Sequence, residues 1–443
     1  MSSSANIAPK TDSDRASDAL YRKIAWHIMP IVVIGYIIAY IDRVNVSFAK
    51  LQMLGDLKFS DSVYGVGAGI FFLGYFAFEV PSNIMLHKVG ARVWICRVIV
   101  TWGIVSALTA LVRTPTQFYT ARLLLGVAEA GFFPGMILYL TYWFPGHRRA
   151  AMVALLMAGN PVSGIIGGPL SGFILRHFAG GKGIAGWQWL FILEAIPAIL
   201  LGVVIFLFLD NRVVEAKWLS EGDRAFVASE IHEEAISKTH VSTRSVFTSP
   251  RVWLFGAIFF GMEMGSYAIG FWQPTIIRQT GVEDAFHIGL LTTVPYTCAL
   301  LCMMIVGRHS DKTRERRWHV IVPNIVAAIG FIFCTQAGSN TALAMFGLVL
   351  AVAGVITGLA MFWALPTSFL GGNAAAAGIA LINCTGNLGG FFSPAIIGFL
   401  KTYTGTLNSG LFLVAACMIA SSVLILTLTP QKSATFEPTG AEV

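Results

Sequence analysis

The chain is predicted to be an all-α membrane protein, with twelve transmembrane helices in two pseudo-symmetric six-helix bundles. Three observations lead there. Only 12% of its 443 residues are charged and 56% are hydrophobic, with a mean hydropathy of +0.71; a soluble domain carries about 25% charged residues. The apolar residues form continuous runs of roughly 20, the length a helix needs to cross a bilayer, whereas barrel strands would alternate with period two. A single long polar stretch then splits the runs six and six.

In chain order the expected helices span 24–49, 62–86, 92–112, 116–140, 149–175, 187–209, 252–277, 287–307, 319–337, 341–364, 374–401 and 407–428. Residues 1–23 read as a polar cytoplasmic tail without the basic start and short apolar core of a signal peptide. The first bundle covers 24–209 and the second 252–428. Between them, 210–251 is rich in Glu, Asp, Lys and Arg and suits a short surface helix on a cytoplasmic loop. Residues 429–443 form a second cytoplasmic tail. Orientation follows from the basic residues. Of 30, Arg43 and Arg122 lie deep in helices, 21 fall on the side of the termini, and 7 (Lys50, Lys58, Arg113, Arg176, Lys182, Arg278, Lys401) fall opposite.

Glycines cluster in the fifth helix (Gly159, Gly164, Gly167, Gly168, Gly172) and the eleventh (Gly386, Gly389, Gly390, Gly398). Small residues let helices approach closely, and these two helices are expected to slide on each other between the halves. The six cysteines lie in apolar runs without zinc-type spacing, so reduced, packed thiols are expected.

Asp42, Arg43, Arg122 and Glu129 sit within apolar helices, where a charge costs at least about 2.5–3.5 kcal/mol. Adjacent residues on a helix diverge by about 100°, so only one of Asp42 and Arg43 can face a central cavity. Arg122 and Glu129, seven apart, share a face at depths differing by ~10 Å. Arginine offers bidentate geometry to a carboxylate. A carboxyl that loses a cationic neighbour in a dry site binds a proton more tightly. Two acids with two arginines therefore suit coupled binding of an organic anion and a proton. Structural pairing of Asp42 with Arg43 and of Arg122 with Glu129 is the alternative, although buried pairs rarely stabilise relative to apolar packing. Glu79, Glu194 and Glu263 are read as structural. The second half offers Tyr267, Trp363, Asn383 and Asn387; the two asparagines, four apart, share a face.

At these residues the chain resembles the major facilitator superfamily and, within it, the anion:cation symporter family, over essentially its whole length. The matching motifs are Asp42-Arg43-Val44-Asn45, Gly74 through Asn83, Arg122 through Glu129 to Pro134, Tyr142-Trp143-Phe144-Pro145, Phe362 through Pro366 and Asn383 through Gly390. The resemblance implies the major facilitator fold and proton-driven import of a small organic carboxylate: a sugar acid, a tartrate-like hydroxy acid or an aromatic acid. Proton coupling falls to Asp42 and Glu129. Substrate contacts fall to Arg43, Arg122, Tyr40, Tyr75, Tyr267, Trp363, Asn383 and Asn387. A bacterial inner membrane, both termini cytoplasmic, and a monomer are expected, with protons in place of any cofactor and no nucleic-acid partner. The second-to-third loop has Ser82-Asn83 where the wider superfamily carries an acid; the eighth-to-ninth loop keeps Asp311.

Rival functions fit less well. An organophosphate or other anion exchanger would want cations from both halves, and the second half has none at cavity depth. Cationic drug efflux is opposed by the arginines. A membrane enzyme would need a nucleophile, metal cluster or phosphate loop, and none is legible.

Overall fold

In the computed structural model, the described residues are 12–180, 183–237, 247–369 and 372–427, and among them there are helices but no strand. The expected C-terminal tail, Lys182 and parts of the N-terminal tail and central loop lie outside these residues. Eleven stretches are long and apolar enough to cross a bilayer; a further helix of 33 residues, Gly372–Thr404, makes the twelfth.

The first half runs α1 (Asp12–Val44) and α2 (Val46–Leu57), α3 (Asp61–Val89), α4 (Ala91–Leu108), α5 (Pro115–Glu129) and α6 (Phe132–Thr141), α7 (Gly146–Met157) and α8 (Gly159–His177), then α9 (Gly186–Phe208). The polar connection contains α10 (Glu221–Ser237). The second half runs α11 (Pro250–Gln279), α12 (Ala285–Thr313), α13 (Trp318–Gln336), α14 (Thr341–Phe362) and α15 (Ala364–Phe369), α16 (Gly372–Thr404) and α17 (Asn408–Thr427).

The first span starts about three turns earlier than its apolar run suggests, because the polar start of α1 is anchored. Asp18 pairs with Arg148 at 2.8 Å, and the Tyr21 hydroxyl donates to Glu230 at 2.5 Å. The α10 helix docks on the same end of the first half. Glu234 accepts from the Gly146 N–H at 2.7 Å, and Trp218 stacks on His27 with centroids 4.0 Å apart. This end, holding the start of α1 and α10, is called here the tail end.

The two halves touch at the opposite, far end. Tyr64 donates to the Phe271 carbonyl at 2.7 Å, the Ser62 N–H to Thr402 at 2.9 Å, and Arg278 to the Leu51 carbonyl. Asp61 of α3 takes Lys401 of α16 at 2.9 Å and Lys50 of α2 at 2.8 Å. Lys50, assigned from sequence to the side opposite the termini, lies on that side and is buried, with its ammonium 3.6 Å from the Trp272 ring centroid. The low cost of burying it reflects the carboxylate and the aromatic face together. At the tail end, α7 and α10 pack on first-half elements and α15 on α14 and α16.

Part of each glycine stripe faces the other half, while Gly159 and Gly167 lie against α1 and Gly386 and Gly389 against α11, and the two stripes do not face each other. Helix α8 packs on α12: a Cβ on Gly168 would lie 1.9 Å from the Thr292 hydroxyl, and one on Gly172 2.4 Å from the Ala285 carbonyl. Helix α16 packs on α3, where a Cβ on Gly398 would lie 2.4 Å from the Asp61 carbonyl. The expected contact of the fifth span with the eleventh is thus replaced by two separate seams, the fifth on the eighth and the eleventh on the second. All six cysteines are free thiols.

Candidate functional site

The turn between Asp42 and Arg43 sends them to opposite sides of α1. Asp42 points into the wall of the first half, fully buried. There it accepts from the Trp102 indole N–H at 3.0 Å and the Ser106 hydroxyl at 3.1 Å, both on α4. Arg43 points into the space between the halves. Its Nε donates to Glu129 Oε1 at 3.2 Å, and its Nη2 donates to the same oxygen. Around the guanidinium stand the rings of Tyr40, Phe71 and Tyr75, at 5.1, 5.3 and 5.4 Å.

Arg122 is buried beside this pair. Its Nη2 donates to the Arg43 carbonyl at 3.3 Å, and its guanidinium lies 5.2 Å from the Phe71 centroid. The Nε and Nη1 of Arg122 and the Oε2 of Glu129 have no hydrogen-bond partner. Neither of the structural pairs considered from sequence forms. The observed pair joins Arg43 to Glu129, and Asp42 takes neutral donors instead. The cause is geometric: α5 crosses α1 so that Arg122 reaches its backbone and Glu129 its side chain.

Glu129 owes its position to a break. It is the last residue of α5; Ala130 is extended (ψ 131°) and Gly131 takes φ +83° before α6 resumes. A side chain at Gly131 would be strained there, and its Cβ would also fall 2.4 Å from the Ser82 hydroxyl. Ser82, standing where an acid is usual in the wider superfamily, accepts from Trp94 at 3.0 Å.

The second half closes the opposite wall. Tyr267 is buried edge-on to Phe72 of the first half, centroids 4.4 Å apart, and within electrostatic reach of Arg43 and Tyr40. Glu263, one turn before it, interacts with Arg43 and Tyr40 as well. Tyr36, one turn before Tyr40, packs against it at 5.0 Å and belongs to the same wall; their i, i+4 spacing was the available signal. Glu79, one turn after Tyr75, is buried with Oε2 unpartnered.

Six of the sequence-predicted residues thus meet: Arg43, Glu129, Arg122, Tyr40, Tyr75 and Tyr267. Asp42 lies behind α1. Trp363 packs within its own half, 4.9 Å from Phe259 and 5.4 Å from Phe362. Asn383 and Asn387 are half-buried on α16 and make no hydrogen bond among the described residues. Glu194, read from sequence as structural, accepts from Ser171 at 2.7 Å. Among the described residues no cluster of three or more His, Cys, Asp or Glu could hold a metal ion.

Comparison with known proteins agrees with this architecture. The profile of the Major Facilitator Superfamily matches residues 32–394. A Pseudomonas putida protein provisionally named metabolite transport protein NicT is 47% identical over 421 residues, covering 94% of this chain and 96% of the relative. A provisionally named tartrate transporter of Agrobacterium vitis is 47% identical, over 92% of this chain and 94% of the relative. Among solved structures, the inward-open xylose transporter XylE of E. coli superposes with a TM-score of 0.75, at 13% identity, over 93% of this chain and 97% of that one.

Proposed function

Since the chain belongs to the major facilitator superfamily, and is accordingly a multi-pass membrane transporter and not an enzyme, we propose that it is a proton-coupled symporter importing a small organic carboxylate. The observation that carries this reading is the shared use of Arg43. Its guanidinium is held by Glu129, while Arg122 beside it keeps two N–H-bearing nitrogens without partners. A substrate carboxylate bound by Arg122 competes with Glu129 for Arg43. Glu129, deprived of its cation in a dry site, takes up a proton. Anion and proton binding are then linked reciprocally. The arginines remain charged throughout. Tyr40, Tyr75 and Tyr267 supply hydroxyls and ring faces for the rest of the substrate. The relative named for tartrate is in keeping with a hydroxy acid.

Alternating access follows from the two halves rocking about this midplane site. The far-end contacts hold that side closed. The excess of Lys and Arg at the tail end supports a cytoplasmic tail end in a bacterial inner membrane. Purified protein in liposomes should accumulate a small carboxylate when the outside is acidic. Uptake indifferent to the pH gradient would sink the symport reading and leave exchange of anions as the function.

A further inference from the structure

We propose that Lys401 and Arg278 of the second half form an entry site for the carboxylate of the transported anion when the halves part at the far end. The anion takes the place that Asp61 and the Leu51 carbonyl fill in the closed arrangement. This rests on the reading of carboxylate import from the far side and adds a binding step ahead of Arg122. Among the described residues, the oxygens that hold both cations belong to the first half. Lys401 of α16 lies 2.9 Å from Asp61 of α3. Arg278, in the last turn of α11, donates to the Leu51 carbonyl of α2. Asp61 is also taken by Lys50, at 2.8 Å and from its own half. One carboxylate thus serves two ammonium groups, and the guanidinium beyond them has a carbonyl. Asp56 is engaged by Trp187 at 2.9 Å and Asp284 by Arg176 at 3.6 Å, so neither acid balances the excess.

Parting of the halves divides these charges unequally. Lys50 and Asp61 stay together on the first half. Lys401 and Arg278 leave with the second and lose both of their oxygens. Cations stripped of their partners make opening costly. An anion that occupies them binds the open state alone and draws the equilibrium toward it. A further donor stands in the same cluster. Trp272 of α11 is 0% exposed, and its indole N–H has no hydrogen-bond partner; buried donors of this kind ordinarily find an acceptor. Both lysines bear on its ring, with Lys50 3.6 Å and Lys401 5.8 Å from the centroid. Arg278 offers a carboxylate two parallel N–H groups, and Lys401 adds a point charge. Access is graded inward: Arg278 is exposed, Lys401 half-buried and Lys50 buried. Trp272 follows Tyr267 of the central site by five residues on α11, a rise of about 7.5 Å. An anion leaving the entry site is therefore delivered close to Arg43 and Arg122.

The binding test uses the full-length double variant Asp61→Asn, Arg122→Ala, in which the latch is unfastened and the central arginine removed. Acylation of Lys401 by a neutral amine-reactive ester, read by peptide mass spectrometry, reports how far its ammonium is covered. Tartrate should slow that acylation severalfold relative to potassium chloride of equal ionic strength. Equal rates in the two salts overturn the site. So does equal slowing at Lys58, which is exposed at the same end and serves as the internal control. Uptake of tartrate from the far side by single variants in liposomes is the second measurement. Lys401→Gln should raise KM about tenfold, and Lys401→Arg should restore it. Asp61→Asn, which removes the competing carboxylate, should lower KM. A role in latching alone moves Lys401→Gln and Asp61→Asn in the same direction, and that result overturns the entry site. A wild type that takes up no tartrate counts against the hydroxy-acid form of the import reading, while the acylation of Lys401 still decides the site.

Discussion

Arg122 has a donor count that its surroundings only partly meet. One of its nitrogens serves the Arg43 carbonyl, and two have no partner. A buried cation left in this state is poised for an anion, since unmet donors cost about 1–3 kcal/mol, more when charged. Arg122→Ala should therefore abolish measurable substrate binding in a thermal-shift screen of small carboxylates; retained affinity would remove Arg122 from the site. Glu129→Gln should lower uphill accumulation at least about tenfold per pH unit, while counterflow exchange persists. Equal loss of both activities would mark Glu129 as structural or substrate-binding. Trp102→Phe removes one of the two donors to Asp42 and should destabilise the protein by about 1–3 kcal/mol, read as a lowered unfolding midpoint in detergent.

Helices here are interrupted where function needs an exposed end. The break after α5 delivers Glu129, and only a residue tolerant of φ +83° continues the chain at Gly131. Helix packing supplies the second constraint. On α8 the absent side chain of Gly168 lets the backbone approach Gly289 and Thr292 of α12. Gly168→Val should wedge this seam apart and favour states open at the far end. Labelling of a cysteine introduced at that end, faster than in the parent protein, is the expected readout; unchanged labelling would show that the seam repacks.

Across the whole molecule, the far end is latched by ion pairs between the halves. Asp61 gathers Lys50 and Lys401 from the two halves, with Trp272 beneath Lys50. An ion pair that joins the halves stabilises only the state in which they touch. Asp61→Asn should shift the population toward far-end opening and increase protection of the tail end. Distance measurements by spin labels across both ends should move in opposite directions; parallel changes would mean unfolding of the latch region and not rocking.

Membrane class, helix number and the rough helix limits were legible in the sequence, because a bilayer imposes a fixed length and apolarity on each span. Arg43, Glu129 and Arg122 were legible as site candidates for a related reason: charge in an apolar run stands out. Their partners were not, since Arg43 and Glu129 are separated by 86 positions and their meeting depends on how α1 and α5 cross. Glu194 and Glu263 show the same limit: equally anomalous in sequence, one is hydrogen-bonded to Ser171 inside the first half and the other lies within electrostatic reach of Arg43. The burial of Lys50 was not legible, because the aromatic face and the shared carboxylate around it come from other helices. The sequence by itself determined which groups the membrane would find expensive. Only the tertiary structure decided which of them face each other, because pairing energy depends on separations of a few ångströms between helices distant along the chain.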